Sequence, residues 1–405
     1  MNLRRWLLLL LTSSVNMAAA LEPPEAESLA PKMQAAGVPG LVITLVENGA
    51  VTHTRAYGVA DVGTAEPLSP DAVFEAASLG KVIAAYQVLI LREQGLLTLD
   101  DEIEDPRINS ACGNPTIRQV LSHTAGLGNN IEAEAFEINC ELKGQFTYAG
   151  EGFVLLREHL EVRLDMPVDR VIKRDLFQPL QMAQSTFGKS TLPLVSGHPD
   201  LVFGVLSGRG PAQLRYLSLA LLGTVLLLTA IGFWRLGCRR WGLAVLLIGP
   251  VVIAELLVLA ALGSGIQVPV ASTNKSNDLA SSLKTSAGDL GNFMQEVIQS
   301  TLISRKSYDE MVTPVAGVNA QVSWGLGIGI DQSGGETTFW HWGSNPGYQS
   351  LFVIDPGRAR AVVILTSGGG FLDFLIEGRG GYDLARDIAR EQLGIPGHWS
   401  ISPPE

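Results

Sequence analysis

Two long apolar runs near the middle of the chain constrain its fold more than any other feature. Tyr216 to Trp234 carries no charge, and Trp241 to Gly263 carries one, Glu255. Each is long enough for a helix that crosses a bilayer core, which needs roughly 20 residues. Tyr216, Trp234 and Trp241 stand near the ends of the runs, where interfacial aromatics belong. Arg235, Arg239 and Arg240 crowd the short connector, which places it on the cytoplasmic side and both flanks outside. The expectation is a transmembrane hairpin over residues 210–264, with helices at about 216–234 and 241–263. The competing reading is a pair of buried core helices. Pro250 would kink the second helix. Glu255 would cost about 2.5–3.5 kcal/mol near the bilayer centre, so a functional role is the default reading for it.

The N-terminus agrees with that topology. Arg4 and Arg5 precede a short apolar core from Trp6, and Ala18-Ala19-Ala20 offers a small-residue cleavage site. Residues 1–20 therefore read as a secretory signal peptide; an uncleaved anchor or a misplaced start is the alternative. Of the 405 residues 46% are hydrophobic and only 17% charged, which is more apolar than a typical soluble enzyme. A net charge of −11 without a dense basic run argues against nucleic acid as a partner. The six histidines are scattered and no CxxC, CxxH or HExxH pattern occurs, so neither a metal site nor a cofactor is expected. Cys112 and Cys140 would lie in the oxidising compartment. Spacing leaves two readings for them: a bridge worth roughly 3 kcal/mol, or two unpaired thiols.

Outside the hairpin the pattern is mixed. Glu25 to Ala36 reads as a helix ended by Gly37. Leu41 to Glu47 and Val51 to Tyr57 read as strands joined by Asn48-Gly49, a strong hairpin signal. Helical stretches follow. Strands return at Val322 to Ile330, Thr337 to Trp342, Gln349 to Ile354 and Ala359 to Thr366, then a closing helix from Tyr382 to Leu393. Strands at both ends with helices between imply an α+β fold: an antiparallel sheet flanked by helices, with a helical subdomain. The domain would be split into residues 21–205 and 266–405 by the hairpin inserted between them.

The chemistry centres on Ser78-Leu79-Gly80-Lys81. A serine and a lysine three residues apart share one helix face, where the amine can take the hydroxyl proton. Ser272-x-x-Lys275 and Ser281-x-x-Lys284 have the same spacing, so setting must separate them. Three further stretches supply it: Leu121-Ser122-His123-Thr124-Ala125-Gly126-Leu127, Phe146-Thr147-Tyr148-Ala149-Gly150-Glu151-Gly152-Phe153, and His341-Trp342-Gly343-Ser344-Asn345-Pro346-Gly347-Tyr348. Together with Phe74 to Lys81, and in this order, they resemble the serine β-lactamase and penicillin-binding-protein-like family, nearest its class C, carboxypeptidase and esterase branch. The absence of a G-x-S-x-G elbow argues against an α/β-hydrolase.

The resemblance implies roles. Ser78 matches the acylated nucleophile and Lys81 its base partner. Tyr148 matches the tyrosine of the Y-x-N element, which activates the serine and passes a proton to the leaving group. Either Lys81 or Tyr148 could be the general base. His341 and Gly343 match the K-T-G or H-x-G element, and the backbone N–H groups of Ser78 and Ser344 would form the oxyanion hole. His123 is expected to support the site, and Glu151 to face solvent. Lys284-Thr285-Ser286 imitates K-T-G, but it leads into an amphipathic helix, Ala287 to Gln299, so it and Ser281 are set aside. Two departures bear on substrate. Gly150 stands where Y-x-N has asparagine, and His341 replaces lysine, giving a weaker, pH-dependent cation for a substrate carboxylate. The expected protein is a serine hydrolase tethered to the bacterial cytoplasmic (inner) membrane, its catalytic domain extracytoplasmic, in the periplasm. It would cleave an amide, ester or lactam of a small-molecule or peptide substrate through an acyl-enzyme. The alternative is a catalytically degenerate sensor or ligand-binding module.

Overall fold

A computed structural model describes residues 20–198, 278–368 and 380–402 of the chain. The expected hairpin over 210–264, and all of the expected signal peptide but its last residue, lie outside them. Among the described residues no helix is long and apolar enough to cross a membrane.

The first hairpin follows from its turn. Asn48 and Gly49 both adopt positive φ, 52° and 69°, the conformation that a two-residue hairpin of this hand requires. It joins β1 (Gly40–Glu47) to β2 (Ala50–Asp61), with a register slip at Leu45/Val46. β1 then pairs on its other edge with β13 (Arg360–Thr366), some 320 residues away, so the two ends of the chain share one sheet. Between them in sequence come β3 (Glu66–Pro67), β8 (Ala316–Gly317), β9 (Val322–Trp324), β10 (Gly329–Asp331), β11 (Thr338–Asn345) and β12 (Tyr348–Asp355). The order across the antiparallel sheet is β3-β2-β1-β13-β12-β11-β10-β9-β8.

Alternation along these strands makes two cores. Leu41, Ile43, Leu45, Leu351, Val353, Val362 and Ile364 face one layer, covered by α1 (Ala26–Ala35) and α8 (Gly381–Leu393). Val42, Val46, Phe352, Ile354, Val363 and Leu365 face the other. That side holds α2 (Gly80–Glu93), α3 (Ile117–Leu121), α4 (Glu151–Leu164), α5 (Val168–Ile172), which continues into a π-helical turn at Lys173–Phe177, α6 (Ala287–Gln299) and α7 (Arg305–Met311). Helix α2 is buried over most of its surface, as its nearly continuous apolar sequence requires. This is the expected α+β design.

Two strands depart from the sequence reading. Val322 to Ile330 is not one strand: it breaks at Gly325 to Ile328, where Gly327 has φ 74° and a β-carbon at Gly325 would lie 2.2 Å from the Met311 carbonyl oxygen. Strand β11 runs three residues beyond the expected Trp342 and carries Gly343, Ser344 and Asn345 with it. A separate two-stranded ribbon joins β4 (Phe74–Ala77) to β7 (Leu283–Thr285), and it ties the halves of the domain together beside the site.

Candidate active site

Ser78 stands in the turn between β4 and α2. Ala77, just before it, takes φ 50°, a left-handed conformation that costs a residue with a β-carbon energy and turns the chain sharply into the helix. Three anchors hold the turn. Leu79 N–H and Lys81 N–H donate back to the Ala76 and Ser78 carbonyls, and Ser350 Oγ donates to the Ala76 carbonyl at 2.9 Å. One helical step inward, Lys81 is fully buried. Its Nζ lies 3.0 Å from Ser78 Oγ and donates to the Ala280 carbonyl at 2.7 Å. The amine also sits 5.0 Å from the centre of the Tyr148 ring and 5.6 Å from that of Phe153. Among the described residues no carboxylate is in contact with it, and desolvation pushes its pKa down to about 7; the Asp278 charge offsets this only in part.

Tyr148 closes the site from the loop before α4. Its ring is partly exposed, while its hydroxyl is buried and among the described residues makes no hydrogen bond of ordinary geometry. Burial raises the phenol pKa well above 10, against a smaller lowering by the nearby Ser78 hydroxyl. His123 supports this loop, as expected: its Nδ1 accepts from Ala149 N–H at 3.1 Å, its carbonyl accepts from Thr147 N–H, and its ring lies 4.4 Å from that of Tyr148. Burial keeps the His123 imidazole neutral.

Gly343 lets strand β11 press against the Ser78 turn. A β-carbon there would lie 2.2 Å from the Ala76 carbonyl oxygen and 3.1 Å from Ser78 N. The next residue, Ser344, lines the cleft together with Ser78.

His341 is placed differently from the expectation. It is fully buried behind Tyr148, packed against Trp324 and Trp342, and absent from the cleft wall. Desolvation and the Lys81 charge push its pKa to about 3, and Nδ1 bonds to the Trp342 carbonyl at 2.6 Å. A neutral imidazole at this depth does not serve as a cation for a substrate carboxylate.

Lys284, which the sequence reading set aside, lines the cleft along with Lys81. Leu283–Thr285 leads into a helix, yet it is also a strand, paired with Phe74–Ala77. Lys284 Nζ donates to the Gly188 carbonyl at 3.1 Å, and burial lowers its pKa while Glu75, Asp278 and Asp169 raise it. Ser281 lines the cleft as well. Asn345 ties the wall together by donating to Glu75 Oε2 at 2.7 Å and to the Ser281 carbonyl at 3.2 Å. Glu151 also departs from expectation. It is buried, and its carboxylate accepts from the Gly128 and Asn130 N–H groups, which fixes Asn129 on the cleft rim. The whole cleft measures about 240 Å3.

A serine, a buried lysine beside it, a tyrosine ring near the lysine and a strand-edge glycine occur here in the order Ser78, Lys81, Tyr148, Gly343. A family model described as Beta-lactamase matches residues 26–379. The chain belongs to the beta-lactamase family. It is 26% identical over 165 residues to penicillin-binding protein 4* of Bacillus subtilis (strain 168), covering 35% of this chain and 37% of that protein. It is 28% identical over 170 residues to penicillin-binding protein 4 of Amycolatopsis lactamdurans, covering 36% of this chain and 44% of that protein. The matched stretch thus spans less than half the length of these relatives. Among solved structures, the penicillin-binding protein homologue of Pyrococcus abyssi superposes with a TM-score of 0.66 at 18% identity, over 91% of this chain and 76% of that one. The D-amino acid amidase of Ochrobactrum anthropi SV3 with D-phenylalanine superposes with a TM-score of 0.63 at 18% identity, over 91% and 96%. At these identities the superpositions establish a common fold, the α+β architecture with its large antiparallel sheet.

Proposed function

We propose that this protein is a serine hydrolase that cleaves a small amide or peptide through an acyl-enzyme on Ser78. The observation that carries the reading is the Lys81 amine, 3.0 Å from Ser78 Oγ and with its pKa brought to about 7 by burial. A lysine poised there is a base at neutral pH, whereas a phenol with a raised pKa is not. Lys81 therefore takes the Ser78 proton as Oγ attacks the carbonyl carbon, and the Ser78 and Ser344 amides hold the oxyanion. Tyr148 gives its proton to the leaving nitrogen as the C–N bond breaks, and the Lys81 ammonium returns one to the phenolate. Water then hydrolyses the ester, and its proton passes by way of Lys81 to Ser78 Oγ. The small, mostly polar cleft and the D-amino acid amidase and penicillin-binding relatives favour a D-amino-acid amide or peptide over a large substrate. An intact serine–lysine–tyrosine set speaks against a degenerate sensor.

The test is covalent labelling of the full-length protein by a fluorophosphonate and, separately, by a fluorescent penicillin, with Ser78→Ala as control. Labelling by either reagent that disappears in Ser78→Ala is expected. Labelling by neither would overturn the hydrolase reading.

The same proposal places the site outside the cytoplasm on a membrane tether formed by residues 210–264. A Cys112–Cys140 bridge suits an oxidising compartment. Cys238, in the connector, is then expected to resist a membrane-impermeant maleimide in intact cells and to react once they are permeabilised. Reaction in intact cells would reject the topology.

A further inference from the structure

The turn at residues 278–282, which leads into β7, carries the Ala280 carbonyl to the Lys81 amine, and one side chain closes it. The Asp278 carboxylate accepts from Ser281 N–H and, at 3.0 Å, from the Ser281 hydroxyl. Its backbone is fastened as well. Asp278 N–H donates to Ser282 Oγ at 3.2 Å, and that hydroxyl donates to the Asp278 carbonyl at 2.6 Å. A short polar side chain bonded to the backbone just ahead of it is a local way to fix a turn. Here the turn delivers an acceptor. Once its proton is gone, the Lys81 amine has one lone pair, and that lone pair must face Ser78 Oγ. An amine N–H held by the Ala280 carbonyl keeps it turned that way. The carboxylate also acts through its charge. Tyr148, His123 and His341 pack around Lys81 and burial holds all three neutral. Glu75 of β4 and Lys284 of β7 line the cleft with Lys81, and Asp278 shares a small pocket on its other side with Arg157, Glu161 and Asp169. Of these groups, Asp278 is the one whose charge pulls the Lys81 pKa back up against desolvation.

We infer that Asp278 is a positioning residue for the general base: it holds the Ala280 carbonyl on the Lys81 amine and supplies the negative charge that favours the ammonium. The inference rests on the hydrolase reading and adds to it a residue that is absent from the cleft wall. Its consequence has a direction. Without the Asp278 charge the ammonium is less favoured, so Lys81 stays in its base form to lower pH. Without the carboxylate altogether the turn is released, and the amine loses the contact that aims it at Ser78.

The test is the rate at which Ser78 of the full-length protein is labelled by the fluorophosphonate, or by the fluorescent penicillin if only that reagent labels it. The rate is followed from about pH 5 to about pH 9 in wild type, Asp278→Asn and Asp278→Ala. Asp278→Asn keeps an oxygen for Ser281 N–H and removes the charge, whereas Asp278→Ala removes both. The fraction of protein finally labelled counts the folded molecules, so each rate refers to folded protein alone. In Asp278→Asn the midpoint of the profile should move to lower pH by about half a unit to one unit. The rate at pH 6, relative to the plateau, then rises about three- to fivefold. In Asp278→Ala the plateau should fall about tenfold below that of Asp278→Asn. A midpoint unmoved in Asp278→Asn, or equal plateaus in the two variants, would overturn the inference and leave the hydrolase reading standing. A wild-type protein that takes neither label would overturn both.

Discussion

On folding, the Lys81 ammonium gives up its water for hydrogen bonds to the Ala280 carbonyl and the Ser78 hydroxyl and for two aromatic faces, so the charged form is the one that suffers. Its folded pKa of about 7 lies below the ordinary 10.5, and the sign of the linkage follows. Between those values the unfolded chain binds a proton that the folded chain does not, so stability rises with pH through this window. Two outcomes are expected of Lys81→Met. Acylation at pH 7.5 should fall by a factor of about 10^2 to 10^4, the usual worth of a positioned base. Its thermal midpoint should exceed that of wild type by the most below pH 7, with the gap closing as pH rises towards 10. A gap independent of pH would mean that Lys81 is not the desolvated group. The wild-type rate should climb through about pH 7 and show no step near 6.5, because His341 stays neutral down to about pH 3. The structure brings Ser78, Lys81, Tyr148 and Gly343 together, and their grouping could be anticipated because each sits in a short motif whose geometry is local. His341 was misread because spacing gives the face of a strand but not the depth at which that face is buried.

The element that shapes the rim is the loop from Ser122 to Gly150. It begins at α3, which is capped by a reciprocal Thr116–Gln119 box, and ends at the N-terminus of α4. Little regular structure lies between, so its order comes from particular bonds: the His123 contacts, the Glu151 clasp and the Cys112–Cys140 disulfide. Lys143 Nζ adds to these by donating to the carbonyls of Cys112 and Asn114. Closing a loop of this length contributes about 3 to 4 kcal/mol in the chain-entropy account. The double variant Cys112→Ala/Cys140→Ala should lose about that much in urea unfolding. Wild type with reductant should unfold at the same midpoint as the variant, and reductant should leave the variant unmoved; a variant as stable as the oxidised protein would show that the bridge contributes nothing. Sequence left this bridge open because cysteine spacing carries no geometry. Lys284 and Asn129 escaped for a related reason. Each reaches the site by pairing with something distant in the chain, Lys284 through β4 and Asn129 through the Gly150 amide. The available signals were Lys284-Thr285-Ser286 itself and the space implied by a glycine at position 150.

At the scale of the molecule the two halves of the domain are interlocked rather than adjacent. β1 from the first half pairs with β13 from the second, β4 pairs with β7, and His198 N–H bonds to the Gly347 carbonyl. A protease cut between residues 198 and 278 should therefore leave two fragments that migrate together on a sizing column in detergent, still labelled at Ser78, and separate only in denaturant. Fragments that part without denaturant would show that the insertion, not the sheet, holds the halves. The overall α+β class was readable because hydrophobic alternation and the Asn48-Gly49 turn are strong local signals. The sheet order was not, since nothing in either β1 or β13 names its partner.

One further consequence lies in α1 and α8. Lys32 on α1 reaches Glu391 on α8 at 2.5 Å, so the first and last helices of the described chain lie side by side. Topologically the domain is close to a ring, with one seam at those helices and another between residues 198 and 278. A short peptide sewing the first seam would allow the second to be opened, and the permuted chain would read as one uninterrupted beta-lactamase-family domain with the apolar insert moved to its ends. Where the domain is cut into sequence and where it is whole in space are then separate choices, and the active site depends only on the second.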